Sequence, residues 1–195
     1  MMRLFVCTLL DEGNQHFYGE RMARLVEKHA SLLRPIPPAS AHITFSFLDE
    51  IPDAELVRLA GACGEATASL RSFQTTLGPP FVLYAGPEAR LVCAPVVSDT
   101  KQLLHLETRL ATALTTLYSA DHVKRSKSFH VTLARFRKNL YRNAATAVDA
   151  ELHEANPKAW TREQLIDHLE IVSSELRPGG PVYTTQHVIP VLGKS

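Results

Sequence analysis

The stretch 40-SAHITFSFLDE-50 places a histidine and a threonine two residues apart, His42 and Thr44, in a run of strand-favouring residues. A second stretch, 128-SFHVTLARFRK-138, repeats the arrangement with His130 and Thr132. On a strand, side chains alternate with period two, so residues two apart share a face. His42, Thr44 and Ser46 are therefore expected on one face, with Ile43, Phe45 and Phe47 packed beneath. His130 and Thr132 share a face in the same way, over Val131 and Leu133. Nine histidines and fifteen threonines in 195 residues give roughly 0.7 HxT matches by chance, so one copy alone carries little. His29 and Ser31 show the difference: that pair falls in an expected helix, where residues two apart do not share a face.

What gives the two motifs weight is their place in the chain. Residues 3–10, RLFVCTLL, form a short apolar run that reads as a buried strand. Phe17, Met22, Leu25, Val26, Leu32 and Leu33 then recur at near-helical spacing over residues 11–33, until RPIPPAS ends the helix. The first His-Thr strand follows, then a helix marked by Leu56, Leu59, Ala60, Cys63 and Leu70. FQTTLGPPFVLYAG reads as strand, turn, strand. The order then recurs: a strand over 89–97, a helix over 100–118 with Leu103, Leu106, Leu110, Leu114 and Leu117 on one stripe, and the second His-Thr strand. A helix around 140–154 comes next, and HLEIVSSEL, RPGGP and VYTTQHVIPV make a closing hairpin. RLFVC at 3–7 resembles RLVCA at 90–94, with Arg3 39 residues before His42 and Arg90 40 before His130. A duplicated unit with a pseudo-twofold axis brings equivalent histidines together, so residues 1–195 are expected to form one bilobal domain.

Composition narrows the class. The chain is 45% apolar and 21% charged with a net charge of +1, so any contact with nucleic acid depends on local clustering. Cys7, Cys63 and Cys93 are far apart and form no CxxC or zinc-ligand spacing, which points to reduced thiols in a cytoplasm. No apolar run approaches the ~18–20 residues of a membrane span. The opening residues lack the longer apolar core and cleavage site of a signal peptide. Neither a P-loop nor GxGxxG occurs. The motifs also lack the HExxH-like spacing of a metallophosphoesterase.

Two imidazoles allow general-base and general-acid catalysis at the same time near neutral pH. Two hydroxyls can donate to the non-bridging oxygens of a phosphate. Together these four residues suit a metal-free, in-line attack at phosphorus, with no cofactor.

At these residues the chain resembles the 2H phosphoesterase superfamily, and within it the RNA 2',3'-cyclic phosphodiesterases of the ThpR/LigT-like branch. The likeness includes MRLFV, HITFSFLDE, HVTLAR and IVSSELRPGGPVYTTQHVIPV. It implies an α+β fold: two mostly antiparallel sheets around a central cleft, with helices outside. It also implies hydrolysis of a 2',3'-cyclic phosphate on RNA ends or nucleotides to a 2'-phosphate, with His42 and His130 as the acid–base pair and Thr44 and Thr132 as phosphate donors. His130 is taken as base and His42 as acid. Two positions depart from the family pattern: Phe129 where relatives often carry proline, and Asp49 where glycine is common.

Seven basic residues and no acidic one lie between Lys124 and Arg142. Such a run is either a solvated face or, beside a phosphate site, a steering field for a polyanion. Lys127 belongs to this run and is a candidate RNA contact. Arg135 matches the family arginine of HVTLAR, but strict alternation turns it away from His130, so a bulge or twist must intervene. Phe136 falls on the histidine face, where it could stack on a base. Two other readings remain at this stage. One is a 2H enzyme for 2'-5' RNA linkages or a cyclic phosphate of ADP-ribose type; the other is a non-catalytic nucleotide- or RNA-binding module. The chain is expected to be a cytoplasmic monomer with no obligate protein partner and no membrane attachment.

Overall fold

The computed structural model describes residues 1–98, 100–126, 128–137, 140–154, 156–178 and 180–191. Its strands are β1 (Met2–Leu9), β2 (Leu33–Pro35), β3 (His42–Ile51), β4 (Phe73–Leu77), β5 (Phe81–Ala85), β6 (Glu88–Pro95), β7 (Val123–Arg125), β8 (His130–Phe136), β9 (Arg162–Ile166), β10 (His168–Arg177) and β11 (Gly180–Pro190). The helices are α1 (Glu12–Lys28), α2 (Leu56–Thr67), α3 (Thr100–Leu117) and α4 (Arg142–Glu154). Nine strands form one sheet, in the order β11-β10-β1-β3-β8-β6-β5 with β2 and β7 to the side of this path, and β4 pairs with β9 in a separate ribbon. The fold is α+β, and every strand pair is antiparallel.

The helices follow from ordinary local rules. Asp11 caps α1 by accepting from the Asn14 amide at 2.8 Å, satisfying one of the amides a helix start leaves open. Tyr18, Met22 and Leu25 form its buried stripe. The helix stops at Lys28, earlier than the apolar spacing suggests, because Leu33 is drawn into β2. In α3, Leu103, Leu106, Leu110 and Leu114 are fully buried, as their spacing predicts. The turn between β5 and β6 holds Gly86 at φ 59, a left-handed conformation that glycine adopts without a Cβ clash.

The internal repeat is visible residue by residue. β1 pairs with β3, and β6 pairs with β8. Cys7 opposes Thr44 and Cys93 opposes Thr132; Leu9 opposes His42 and Pro95 opposes His130. Cys7 therefore corresponds to Cys93, and FVC at 5–7 to LVC at 91–93. This corrects the match of Arg3 with Arg90 by one residue. The halves also exchange their shortest strands. β2, from the first half, pairs with β8, and β7, from the second, pairs with β3. Between the two His-Thr strands themselves, the paired residues are Ile43 and Val131.

Both His-Thr strands carry a bulge at the same place. On β3 the ladder passes from Cys7–Thr44 to Val6–Ser46. On β8 it passes from Cys93–Thr132 to Val92–Ala134. Each bulge inserts one residue and reverses the facing of the residues beyond it. Ser46 is therefore buried rather than facing the histidine side, while Phe47 is 47% exposed. On β8 the reversal turns Arg135 toward the histidine face and buries Phe136, which is 6% exposed, in the core. The bulge required for Arg135 is present, and it removes Phe136 from any stacking role.

This assignment makes a stability prediction. Phe136→Ala should cost about 3–5 kcal/mol, the range for a buried aromatic, while Phe47→Ala, at a half-exposed ring packed against Phe5, should cost no more than about 1.5 kcal/mol. Denaturant midpoints measure both. Similar losses at the two positions would mean that the facing after the bulges is wrong.

Candidate active site

A cleft of about 310 Å³ opens where β3 and β8 diverge, and His42, Thr44, His130, Thr132 and Arg135 all line it. Spacing alone leads one to expect four of these together. Arg135 joins them through the bulge. Lys127 lies outside the described residues. Phe136 lies in the core on the opposite face. Among the described residues no carboxylate lines the cleft, so its fixed charge is positive.

Each histidine is oriented by the serine two residues before it. The Ser40 carbonyl lies 2.7 Å from His42 Nδ1. A carbonyl only accepts, so the proton sits on Nδ1 and Nε2 is left for the cleft. On the other side, the Ser128 hydroxyl lies 3.3 Å from His130 Nδ1. The repeated unit is thus S-x-H-x-T, at 40–44 and 128–132. The serines stand in plain view in the sequence, two before each histidine, and reasoning from the HxT pair alone passes over them.

Apolar packing fixes the His42 ring further. Phe5 stacks on it with centroids 4.8 Å apart, and Tyr183 meets it edge-on at 5.5 Å. Phe5, Cys7, Val172 and Tyr183 form a small apolar cluster on this face, separate from the main core. Tyr183 has no sequence signal beyond its place in the closing hairpin; from β11 it reaches the rings of Phe5 and His42 and lines the cleft. Phe129, one of the two departures from the family pattern, packs against Phe45 at 5.9 Å. Asp49, the other, pairs with Lys124 at 3.0 Å.

Much of the basic run is accounted for structurally. Arg125 grips the buried Glu107 carboxylate, Arg142 lies over the Tyr84 ring at 4.0 Å, and Arg137 donates to the Ala30 carbonyl at 3.0 Å. Arg135 alone among these faces the cleft. Among the described residues no group of three or more His, Cys, Asp or Glu side chains is placed to hold a metal ion, and no helix is long and apolar enough to cross a membrane.

Comparison with known proteins bears on this arrangement. No protein-family model matches the chain. A Thermus thermophilus protein named RNA 2',3'-cyclic phosphodiesterase is 29% identical over 212 residues, covering 99% of this chain and 92% of that protein. The crystal structure of a Thermus thermophilus protein superposes with a TM-score of 0.80 at 23% identity, over 100% of both chains. Escherichia coli LigT without ligand superposes with a TM-score of 0.71 at 18% identity, covering 97% of this chain and 96% of that one. LigT complexed with 3'-AMP gives 0.73 at 18% identity, over 98% and 99%. The chain has the 2H phosphoesterase fold. The likeness read from the two motifs therefore holds in sequence and in fold, and in this chain the strands β3 and β8 carry the histidines.

Both imidazoles are held below the ordinary histidine range. For His42 burial is the main cause, opposed by the Ser40 carbonyl and reinforced by the positive charge of Arg135 and His130. For His130 burial again dominates, opposed by the Ser128 backbone. In the unfolded chain a histidine titrates at about 6.5. Below that pH the unfolded chain takes up protons that the folded protein resists. Stability from this source is full above about pH 6.5 and is lost as pH falls through the lower folded values. NMR titration should show both rings titrating below about 6.5, and Arg135→Ala should raise the His42 value while moving His130 little. An unmoved His42 would contradict the charge coupling.

Proposed function

We propose that this protein hydrolyses the 2',3'-cyclic phosphate of RNA ends or nucleotides to a 2'-phosphate by metal-free catalysis with two histidines. The observation that carries the reading is the symmetric placement of His42–Thr44 and His130–Thr132 on two strands facing one positively charged cleft. The name of the Thermus thermophilus relative supports the substrate class, and the LigT complex with 3'-AMP supports a nucleotide ligand.

In this mechanism the Thr44 and Thr132 hydroxyls donate to the non-bridging oxygens, and Arg135 balances the charge gathering on phosphorus. A water attacks in line with the P–O3' bond. The new P–O bond forms as P–O3' breaks; one imidazole takes the water proton while the other protonates O3'. We assign His130 as base, since it is the less enclosed ring and water reaches it from the cleft mouth. His42, walled by Phe5 and Tyr183, acts as acid once the bound anion offsets the positive charge that lowers its proton affinity.

Chelator-resistant turnover of a 2',3'-cyclic nucleotide to the 2'-phosphate is the expected result in excess EDTA. His42→Ala and His130→Ala should each reduce it by roughly two to four orders of magnitude, and the pH–rate profile should be bell-shaped. Near-normal turnover in either variant would sink the paired mechanism, and loss of activity in EDTA would sink its metal-free form. A substrate with sulfur at the bridging 3' position needs no proton on its leaving group. It should restore His42→Ala by more than about ten-fold and leave His130→Ala impaired. Restoration of His130→Ala instead would exchange the two roles.

A further inference from the structure

Beside the cleft lies a second pocket of about 150 Å³, walled by Arg34, Pro35, Pro37, Arg135, Pro181 and Tyr183. It is continuous with the cleft: Ile36, Ser40, Arg135 and Tyr183 line both. Its chemistry is unusual for an ordinary surface. Arg34 and Arg135 are direct partners across the β2–β8 ladder, so their side chains leave the sheet on the same face. Like charges placed directly opposite each other destabilise a sheet. Among the described residues neither guanidinium has a carboxylate partner, and no acidic residue lines the pocket. Among the described residues, Arg135 Nε is buried with no hydrogen-bond partner.

The internal repeat supplies a control. By ladder register, the counterpart of Arg34–Arg135 in the other half is Lys124–Phe47. There a single cation stands against an aromatic ring, and Lys124 is neutralised by Asp49 at 3.0 Å. The half that carries Arg135 doubles the positive charge and omits the acid. An arginine fork is shaped for phosphate oxygens, and two forks with an orphaned donor leave a place for one anion. Tyr183 and the prolines give that place apolar walls suited to a sugar or base.

We propose that Arg34 and Arg135 form a second anion subsite, which takes the phosphate on the 5' side of the nucleoside whose cyclic phosphate lies between His42 and His130. The protein then selects RNA ends over cyclic nucleotides that lack a 5'-phosphate. This rests on the cyclic-phosphate reading above and narrows it.

The test compares kcat/KM for adenosine 2',3'-cyclic phosphate with that for the same nucleotide carrying a 5'-phosphate, in wild type and Arg34→Ala. Wild type should prefer the 5'-phosphorylated substrate by about ten-fold or more, and Arg34→Ala should reduce the preference to within about two-fold. Calorimetric binding of adenosine 2'-phosphate and adenosine 2',5'-bisphosphate gives a second readout independent of turnover, with the same preference expected and the same loss. Arg34→Gln, which keeps the side-chain stem, replaces the alanine variant if that one fails to fold. A preference absent from wild type, or surviving the loss of Arg34, overturns the subsite. Absence of turnover on both substrates overturns the cyclic-phosphate reading instead, and the binding comparison still decides the subsite.

Discussion

The pairing of Ile43 with Val131 joins the two halves of the main sheet. Its reach is short because each His-Thr strand soon takes another neighbour: β3 pairs next with β7, and β8 with β2. The strands therefore touch near their first residues and then separate. Two sheets that merely packed face to face would bury His42 and His130 against each other. A fully laddered junction would lay them flat on one surface. One pairing followed by divergence gives an open wedge, with both histidines near its apex and the threonines next along each strand. The exchanged short strands make this possible, since each fills the backbone hydrogen bonds that the other half has left open.

The sequence reveals those parts of this arrangement that have a strong local period. The leucine stripe of α3, the apolar run of β1 and the closing hairpin all lie close to where their patterns put them. β2 and β7 span three residues each, too few for alternation to register, so period counting gives Leu33 to the preceding helix and leaves the rest of both as connecting segments. β9 escapes for another reason: its partner β4 lies far away in the chain, and nothing local announces such a pair. Within the site, His42, Thr44, His130 and Thr132 are legible because they precede the bulges. Ser46, Phe47, Arg135 and Phe136 come after them, and each faces opposite to what strict alternation gives. A bulge adds a residue without changing composition, so period counting has no means of seeing it. The family arginine at Arg135 is the one hint, since its expected role conflicts with its expected face.

The electrostatics of the site follow from the same placement. Burial against Phe5 and Tyr183 disfavours the charged form of His42, and Arg135 and His130 add to this. Among the described residues no carboxylate lines the cleft, so its positive charge has no neutralising partner there and an anion would complement it. Binding and proton affinity are coupled in consequence. In the proposed mechanism an anion that settles between the histidines raises the proton affinity of both, so the ligand helps to charge the acid. The reciprocal holds by linkage: acidification through the histidine range would strengthen binding of such an anion while folding stability declines over the same range.

For the proposed mechanism near-symmetry also poses a chemical problem, because acid and base must differ in role while S-x-H-x-T is the same on both sides. The difference has to come from residues that are equivalent in register and unlike in chemistry. Phe47 stands where Arg135 stands in the other half, Phe5 where Leu91 stands, and Ile36 where Ser126 stands. Tyr183, from outside the repeat, contacts His42. These substitutions give His42 an aromatic enclosure and leave His130 nearer to water. They also place the guanidinium on the β8 side, next to the further pocket. Under the proposed mechanism, a duplicated scaffold supplies two equal proton carriers. A few unequal neighbours would then set the direction in which the proton moves and the side on which the rest of a polyanionic substrate lies.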